Sequence, residues 1–514
     1  MPASPYSPFL KIEAAGEATP GRIFARFADS EITLGALAAD SLEIARSLAA
    51  SGLRPGDRVA VMMANRPLVL ALIFAIARAG LVWVPVNTRQ QGLSLGHILR
   101  HSAPSLLLVD EDLHAAVAGC GSLPPALRVV PVLMSDERPA LRAVAEPRLP
   151  ATIAEEALFA IMYTSGTTGS PKGVEVTHRM FGYAARAVAL VGGMQDGDVL
   201  FVWEPLYHIG GSQLLLLPLM LDVHLHMVPR FSASRFWSEA REGGATHIHF
   251  LGGILELLLR QPAHALDREH SVRIAWGGGC RRDDWEEFER RFGVDVRECY
   301  GMTEASSMST VNIDGPVGSV GKPVPWLDVE VLDPDGRSVA PFQRGEIVVS
   351  EREPGALFGG YLDDPETTAK ALRGGKLFTG DAGSFDANGH LSFHGRLNDS
   401  VRHRGENISA WEVESVALQH PSVAEVAMIG VAAEIGEQDI KLFVALREGA
   451  AVAAPDLAEW LDERLGRARA PRYIAFVDEF PKTPSERIRK GLLPTDTAGC
   501  WDREAAGMRR LMAG

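Results

Sequence analysis

The sequence predicts an α/β chain of two domains. A large N-terminal domain carries layered α/β subdomains plus a β-rich subdomain, and a small C-terminal α+β domain follows. Three observations lead there. At 514 residues the chain exceeds what one hydrophobic core organises. Short apolar runs of strand length alternate with runs at helical spacing. The texture then shifts twice, near Asp314 and near Gly395–Asp399.

Taken in order, Ile32–Val86 reads as an α/β unit. Leu34, Leu37, Ala38, Leu42, Ala45, Leu48 and Ala49 recur at helical spacing, and Gly52 stands where a C-terminal cap is wanted. A Pro-Gly-Asp turn at Pro55–Asp57 leads into the strand-like run Arg58–Met63, the apolar helix Pro67–Arg78 and the run Leu81–Val86. Further α/β signals lie at Phe236–Arg241, His247–Leu251 and Val272–Ala275. After Asp314 the short runs Val329–Leu332, Glu346–Val349 and His390–His394, separated by Gly, Pro and Asp, predict a strand-dominated subdomain. Beyond Asp399, helical patterns at Trp411–Gln419 and Ala454–Leu465 alternate with strand patterns at Val423–Val431 and Lys441–Leu446. The expected domains are 1–397 and 398–514.

Composition excludes several classes. With 46% hydrophobic and 23% charged residues the chain is neither disordered nor fibrous. A net charge of -14 argues against a nucleic-acid binder, since phosphate backbones recruit basic surfaces. The four cysteines, Cys120, Cys280, Cys299 and Cys500, form no C-x-x-C pair and suit a reducing compartment. No signal-peptide pattern opens the chain. The longest apolar runs, Pro67–Ala77 and Leu214–Leu221, fall short of the roughly 18 residues a membrane span needs. A cytoplasmic protein without stable membrane insertion is the expectation; homodimerisation is left open.

The strongest local signal runs from Tyr163 to Gly173. Thr164, Ser165, Thr167, Thr168 and Ser170 supply hydroxyls, Gly166, Gly169 and Gly173 supply backbone freedom, and Lys172 supplies a positive charge. The runs Leu158–Tyr163 and Val174–Thr177 flank it as strands. Glycines let backbone N–H groups approach an anion, and hydroxyls add donors. Pro171 before the lysine and Gly173 after it rule out a Walker A motif, which needs Gly-Lys-Ser/Thr. The bland alternative is a plain Ser/Gly loop.

This segment resembles the phosphate-binding loop of the adenylate-forming superfamily, which includes acyl-CoA synthetases, adenylation domains of peptide synthetases and luciferases. Further matching pieces occur in the superfamily's order: Pro205–Gly211, Trp276–Gly279, Tyr300–Glu304, Thr379–Asp381, Gly395–Asp399, Gly405–Ile408 with Glu412–Glu414, and Pro481–Pro484. The resemblance implies an enzyme using ATP, Mg2+ and coenzyme A on a small-molecule carboxylic acid. The acid attacks the α-phosphorus, so negative charge crowds one site and calls for a metal, a cation and oriented donors. It implies that Glu304 holds Mg2+ and that Thr303 faces the α-phosphate. Tyr300, with Gly301 and Met302 after it, would pack on the adenine beside the backbone of Gly277, Gly278 and Gly279. Asp381 would take the ribose hydroxyls, with Arg396 supporting the same nucleotide. His208 would lie near the substrate without acting as a base. Cys280 and Cys299 read as small pocket-wall residues. The resemblance also implies that the small C-terminal domain is mobile, with Asn398 as its pivot.

One departure stands out. Relatives end in Pro-x-Thr-x-Ser/Thr-Gly-Lys, whose lysine clamps carboxylate and α-phosphate; here Glu486 replaces the glycine and Arg487 the lysine. Arginine keeps the charge but is bulkier and forked. Nearby Lys490 is an alternative donor, and a nucleotide binder that has lost turnover is the competing class. The chain ends about 27 residues past Arg487, which leaves no room for a carrier domain. The stretches Phe231–Trp237, Arg291–Val294 and Arg404–Asn407 look most like carnitine/crotonobetaine-CoA ligases and fatty acyl-CoA synthetases. Arg402, Arg404, Arg467 and Arg469 are candidates for CoA phosphates. For the acid, Trp203, Tyr207, Phe250 and Trp276 predict an aromatic wall, suited to an aryl or quaternary ammonium acid, with core packing as the alternative.

Overall fold

The computed structural model describes residues 6–134, 138–164, 171–403, 406–433, 438–465, 470–482 and 488–506. The chain divides into two compact units: residues 1–329 with 349–378, and residues 330–348 with 379–514.

In the first unit, helix Leu34–Ala50 starts where Thr33 Oγ1 accepts a hydrogen bond from Ala36 N (3.2 Å). It stops at Ser51, and Gly52 follows at φ +90°, a conformation open to glycine. Helix Pro67–Arg78 places its proline where no N–H is needed, and every residue from Leu68 to Ala77 is buried. A helix apolar on all sides belongs inside the molecule; Phe74 meets Phe9 and Phe24 edge-on at 5.3 and 5.6 Å.

A six-stranded sheet runs Arg128–Val132, Leu106–Asp110, Arg58–Met62, Val82–Pro85, Leu158–Thr164, Lys172–Thr177. The last pair is antiparallel, in register from Leu158↔Thr177 to Thr164↔Lys172. The two strands form a β-hairpin, as the flanking runs predict, and Lys172 and Gly173 open its second strand.

A nine-stranded sheet runs Lys322–Pro323, Thr310–Val311, Asp295–Tyr300, Ile274–Gly278, His247–Leu251, Val199–Val202, His224–Met227, Ile23–Arg26, Glu31–Thr33. Its six strands from Asp295–Tyr300 to Ile23–Arg26 are mutually parallel. Their C-terminal ends share one edge, the usual place for a ligand crevice in α/β sheets. Helix Arg282–Phe292 covers one face of this sheet with Trp285, Phe288 and Phe292, packed with Phe201, Phe236 and Phe250.

In the second unit, strand Lys376–Phe385 pairs with Leu391–Arg396, from Asp381↔Arg396 to Phe385↔Leu391. A short turn, Leu397–Asp399, follows within this unit, whose residues 330–348 and 379–397 lie outside the expected 398–514. Helices Ala410–Ala417 and Ala454–Leu465 then pack on a sheet of Val423–Ala432, Gln438–Leu446, Tyr473–Phe476 and Trp501–Asp502. Among the described residues no helix is long and apolar enough to cross a membrane.

Strands His247–Leu251 and Ile274–Gly278 approach so closely at their ends that a Cβ on Gly277 would lie 1.9 Å from the Phe250 carbonyl oxygen. Gly277→Ala should therefore cost about 1–3 kcal/mol of stability in a denaturant melt. Gly253→Ala, where nothing lies within 4 Å of the added carbon, should melt like the parent.

Candidate active site

Four parallel strands end side by side at Val202, Leu251, Gly278 and Tyr300. The turns that leave them hold most of the site residues expected in this unit. Gly277 and Gly278 close strand Ile274–Gly278, and Gly279 turns away at φ +89°. Gly252 N donates to Gly278 O (2.9 Å), and Cys299 Sγ–H points to Gly277 O (3.0 Å). Gly301 is equally constrained: a Cβ there would lie 2.0 Å from Ser307 O. Tyr300 closes its strand nearly buried, with Met302 leading into the turn Thr303–Ala305. Ser306 and Ser307 follow in left-handed conformations, φ 53° and 76°. Ser306 Oγ donates to Ala356 O (2.6 Å) and Ser307 Oγ to Gln213 Oε1 (2.7 Å). Those bonds hold a strained reversal that presents Thr303 and Glu304.

Glu304 and Lys172 meet on a residue the sequence reading passed over. Tyr361 donates its hydroxyl to Glu304 Oε1 (2.9 Å), and Lys172 Nζ stands 5.3 Å from the centre of the same ring. The backbone builds this junction: Leu362 N donates to Gly173 O (2.8 Å) and Phe358 N to Glu304 O (2.9 Å). Glu304 and Thr303 are buried at 7% and 8% exposure, so the carboxylate is largely removed from solvent. Tyr361 follows two glycines, Gly359 and Gly360; that pattern was the only local hint.

His208 precedes the short helix Ile209–Ser212, its ring 4.7 Å from Tyr207. Beneath this turn Glu204 Oε2 lies 2.9 Å from His249 Nδ1, both buried. The Glu204 carboxylate fills the space a Cβ on Gly210 would need. The aromatic wall is largely absent. Phe250 is fully buried in the helix-covered core, and Trp203 packs there too, donating Nε1–H to His249 O (2.8 Å). Trp276 is also buried, with His249 4.2 Å from it. Residues on opposite faces of a strand cannot all line one pocket. Burial pushes the Cys280 and Cys299 thiols up, which suits pocket-wall residues and not nucleophiles.

In the second unit, Arg396 Nε pairs with Asp381 Oδ1 (2.9 Å), and Arg396 Nη1 donates to Thr379 O (3.2 Å). Asp381 is 3% exposed and its N–H is held by Thr379 Oγ1 (3.1 Å). The two expected ribose residues are thus cross-strand partners. Lys490 Nζ reaches Glu414 Oε1 (2.9 Å) and Asp399 Oδ2 (3.2 Å). Burial works to lower this lysine, but the two carboxylates outweigh it and hold it above its ordinary value. Ser165, Gly166, Thr167, Thr168, Gly169 and Arg487 lie outside the described residues, as do Arg404, Arg467 and Arg469. Thr164 is in register with Lys172, the last pair before the chain between the two strands.

Residues 12–362 match the family model for AMP-binding enzymes, and residues 412–487 match the model for the C-terminal domain of those enzymes. The chain is 33% identical to sulfoacetate–CoA ligase of Cupriavidus necator, over 89% of this chain and 91% of that one. It is 31% identical to the medium/long-chain-fatty-acid–CoA ligase FadD6 of Mycobacterium tuberculosis, over 91% and 82%. Its fold matches o-succinylbenzoate CoA synthetase of Bacillus subtilis in complex with ATP and magnesium, TM-score 0.83 at 27% identity, covering 94% of this chain and 98% of that one. The chain therefore belongs to the family of AMP-binding enzymes.

Proposed function

We propose that this chain is an ATP-dependent acid–thiol ligase for a small to medium carboxylic acid. The acid's carboxylate attacks the α-phosphorus of ATP, forming acyl-AMP and expelling pyrophosphate. The CoA sulfur then attacks the acyl carbonyl, breaking the acyl–oxygen bond and releasing AMP with the thioester. The observation that carries this reading is the convergence of Lys172 and Glu304 on Tyr361.

In this reading Thr164, Lys172 and the hairpin connection Ser165–Gly169 receive the phosphates, and Thr303 faces the α-phosphorus. Gly277, Gly278, Gly279, Tyr300, Gly301 and Met302 form the adenine bed, while Asp381, oriented by Arg396, takes the ribose hydroxyls. His208 borders the acyl group. The donor chemistry of Glu304 fits magnesium: one buried carboxylate whose Oε1 is oriented by Tyr361. Among the described residues no group of three His, Cys, Asp or Glu forms a full protein cage. Glu304 would hold Mg2+ together with the phosphates of the nucleotide, as one or two carboxylates commonly do. When bound it supplies neutralisation of the phosphate charge. Arg487 stands in for the family's lysine. Residues 398–514 form the small domain, which turns about Asn398 between the half-reactions. The four free cysteines suit a cytoplasmic setting.

The acid is small to medium because Trp203 and Phe250 are spent on the core and a buried Glu204–His249 pair lies by the acyl turn. A long alkyl tail gains nothing against a buried polar pair. The relative named for sulfoacetate agrees; the one named for medium- and long-chain fatty acids marks the alternative.

With Mg2+ and a suitable acid the protein should exchange labelled pyrophosphate into ATP and, with CoA, release AMP. Release of ADP would overturn the mechanism. Across acetate, a C8 acid, palmitate, benzoate, carnitine and crotonobetaine, kcat/KM should peak away from palmitate; a palmitate optimum would overturn the size assignment alone. Arg487→Ala should slow adenylation about a hundredfold, the usual loss for one aligned donor, while sparing thioester formation from presynthesised acyl-adenylate. Lys490→Ala should instead lower stability by about 2 kcal/mol and reduce both half-reactions together. Selective loss of adenylation in Lys490→Ala would make Lys490 the donor.

A further inference from the structure

Glu298 lies on strand Asp295–Tyr300, 4% exposed, in register with Gly277 on the neighbouring strand. Its Oε1 accepts two backbone hydrogen bonds, from Gly279 N and from Cys280 N, both at 2.9 Å. These are the first two residues past the end of strand Ile274–Gly278. Gly279 has the left-handed φ of +89°, and Glu298 O is itself held by Asn312 N (2.7 Å). The titratable groups around the carboxyl are the thiols of Cys280 and Cys299, with Asp284, Glu289 and Arg281 acting on Cys280. No cation pairs with Glu298 among the described residues, and the Cys280 and Cys299 thiols add no positive charge. A glutamine would accept the same two bonds without a titratable group, so the choice of a carboxyl here calls for an explanation.

We propose that Glu298 is a positioning residue of the nucleotide site: its carboxylate ties the Gly279–Cys280 turn in the conformation that receives the adenine ring, and the tie tightens when the carboxyl loses its proton. The proposal rests on the reading of Gly277–Gly279 as the adenine bed. A carboxylate is a stronger acceptor than a carboxylic acid, and two N–H groups aimed at one oxygen favour the charged form. Burial outweighs them and pushes Glu298 up to about 7. The carboxyl therefore changes charge across the neutral range.

Two opposite effects of pH follow. Above about 7 the turn is held by charge-assisted bonds and the nucleotide should bind better. Fold stability moves the other way. The folded state keeps this proton to a higher pH than the unfolded chain does, so the group's contribution is full below the ordinary carboxylate range and is lost as pH rises through about 7.

The test uses the full chain as wild type, Glu298→Gln and Glu298→Ala, with the ATP KM in pyrophosphate exchange measured from pH 6 to 8. The nucleotide's own titration is common to all three and cancels in ratios. The KM ratio of Glu298→Gln to wild type should rise about threefold to tenfold across that range, with kcat changing far less. Glu298→Ala should raise KM at every pH. Glu298→Gln should also melt above wild type at pH 8 and not at pH 5. If Glu298→Gln does not fold, carbon-13 titration of wild-type Glu298 replaces it: saturating ATP should lower the midpoint, as reciprocal linkage requires. A KM ratio independent of pH, or a midpoint unmoved by ATP, overturns the proposal. Failure of the wild type to bind ATP at any pH overturns the adenine-bed reading instead.

Discussion

Between the Phe250 carbonyl and the α-carbon of Gly277 there is no room for a side chain, since a Cβ would stand 1.9 Å from that oxygen. This contact lets two parallel strands close at their C-terminal ends and release their turns toward a common edge. Once residue 277 must be glycine, the next residues can leave the sheet sharply, and Gly279 does so at a φ that glycine tolerates without strain. The turn then exposes two N–H groups with no strand partner, which Glu298 takes up. The same logic repeats one strand over, where Gly301 admits the Ser307 carbonyl and the chain reverses to present Glu304.

Electrostatics then separates the roles of the two charged residues. Lys172 and Glu304 share Tyr361 as a spacer: the hydroxyl binds the carboxylate and the ring face attracts the ammonium. A direct ion pair would have quenched both charges. In the proposed reaction, keeping a phenol between them would leave the cation to meet phosphate and the carboxylate to meet a metal ion. In the second unit the opposite arrangement holds at Lys490, which is committed to Glu414 and Asp399. A lysine held by two carboxylates orders its own domain and is a poor candidate for a mobile donor.

Much of this was legible in the residues. The hairpin around Lys172 follows from its local pattern of hydroxyls, glycines and one lysine between two strand-like runs, whereas the glycines at Gly277–Gly279 and the Glu304 turn are reached only through the family resemblance. Tyr361 was not legible: its partner Glu304 is 57 residues away, and nothing in a Gly-Gly-Tyr triplet names it. Glu298 was hidden for the same reason, its partners lying 18 and 19 residues back. The aromatic wall misled because it takes Phe250 together with the rest of His247–Gly253 as one lining. Strand alternation puts Ile248 and Phe250 on the helix-covered face and His249 on the other.

The central claim is that the acid's own oxygen becomes bonded to the α-phosphorus of ATP. The most direct measurement is the fate of 18O from a doubly labelled carboxylate, followed by mass spectrometry of the released nucleotide and phosphates after one turnover with CoA. The account predicts one labelled oxygen in AMP and none in pyrophosphate. Label in inorganic phosphate, with ADP as the nucleotide product, would contradict it.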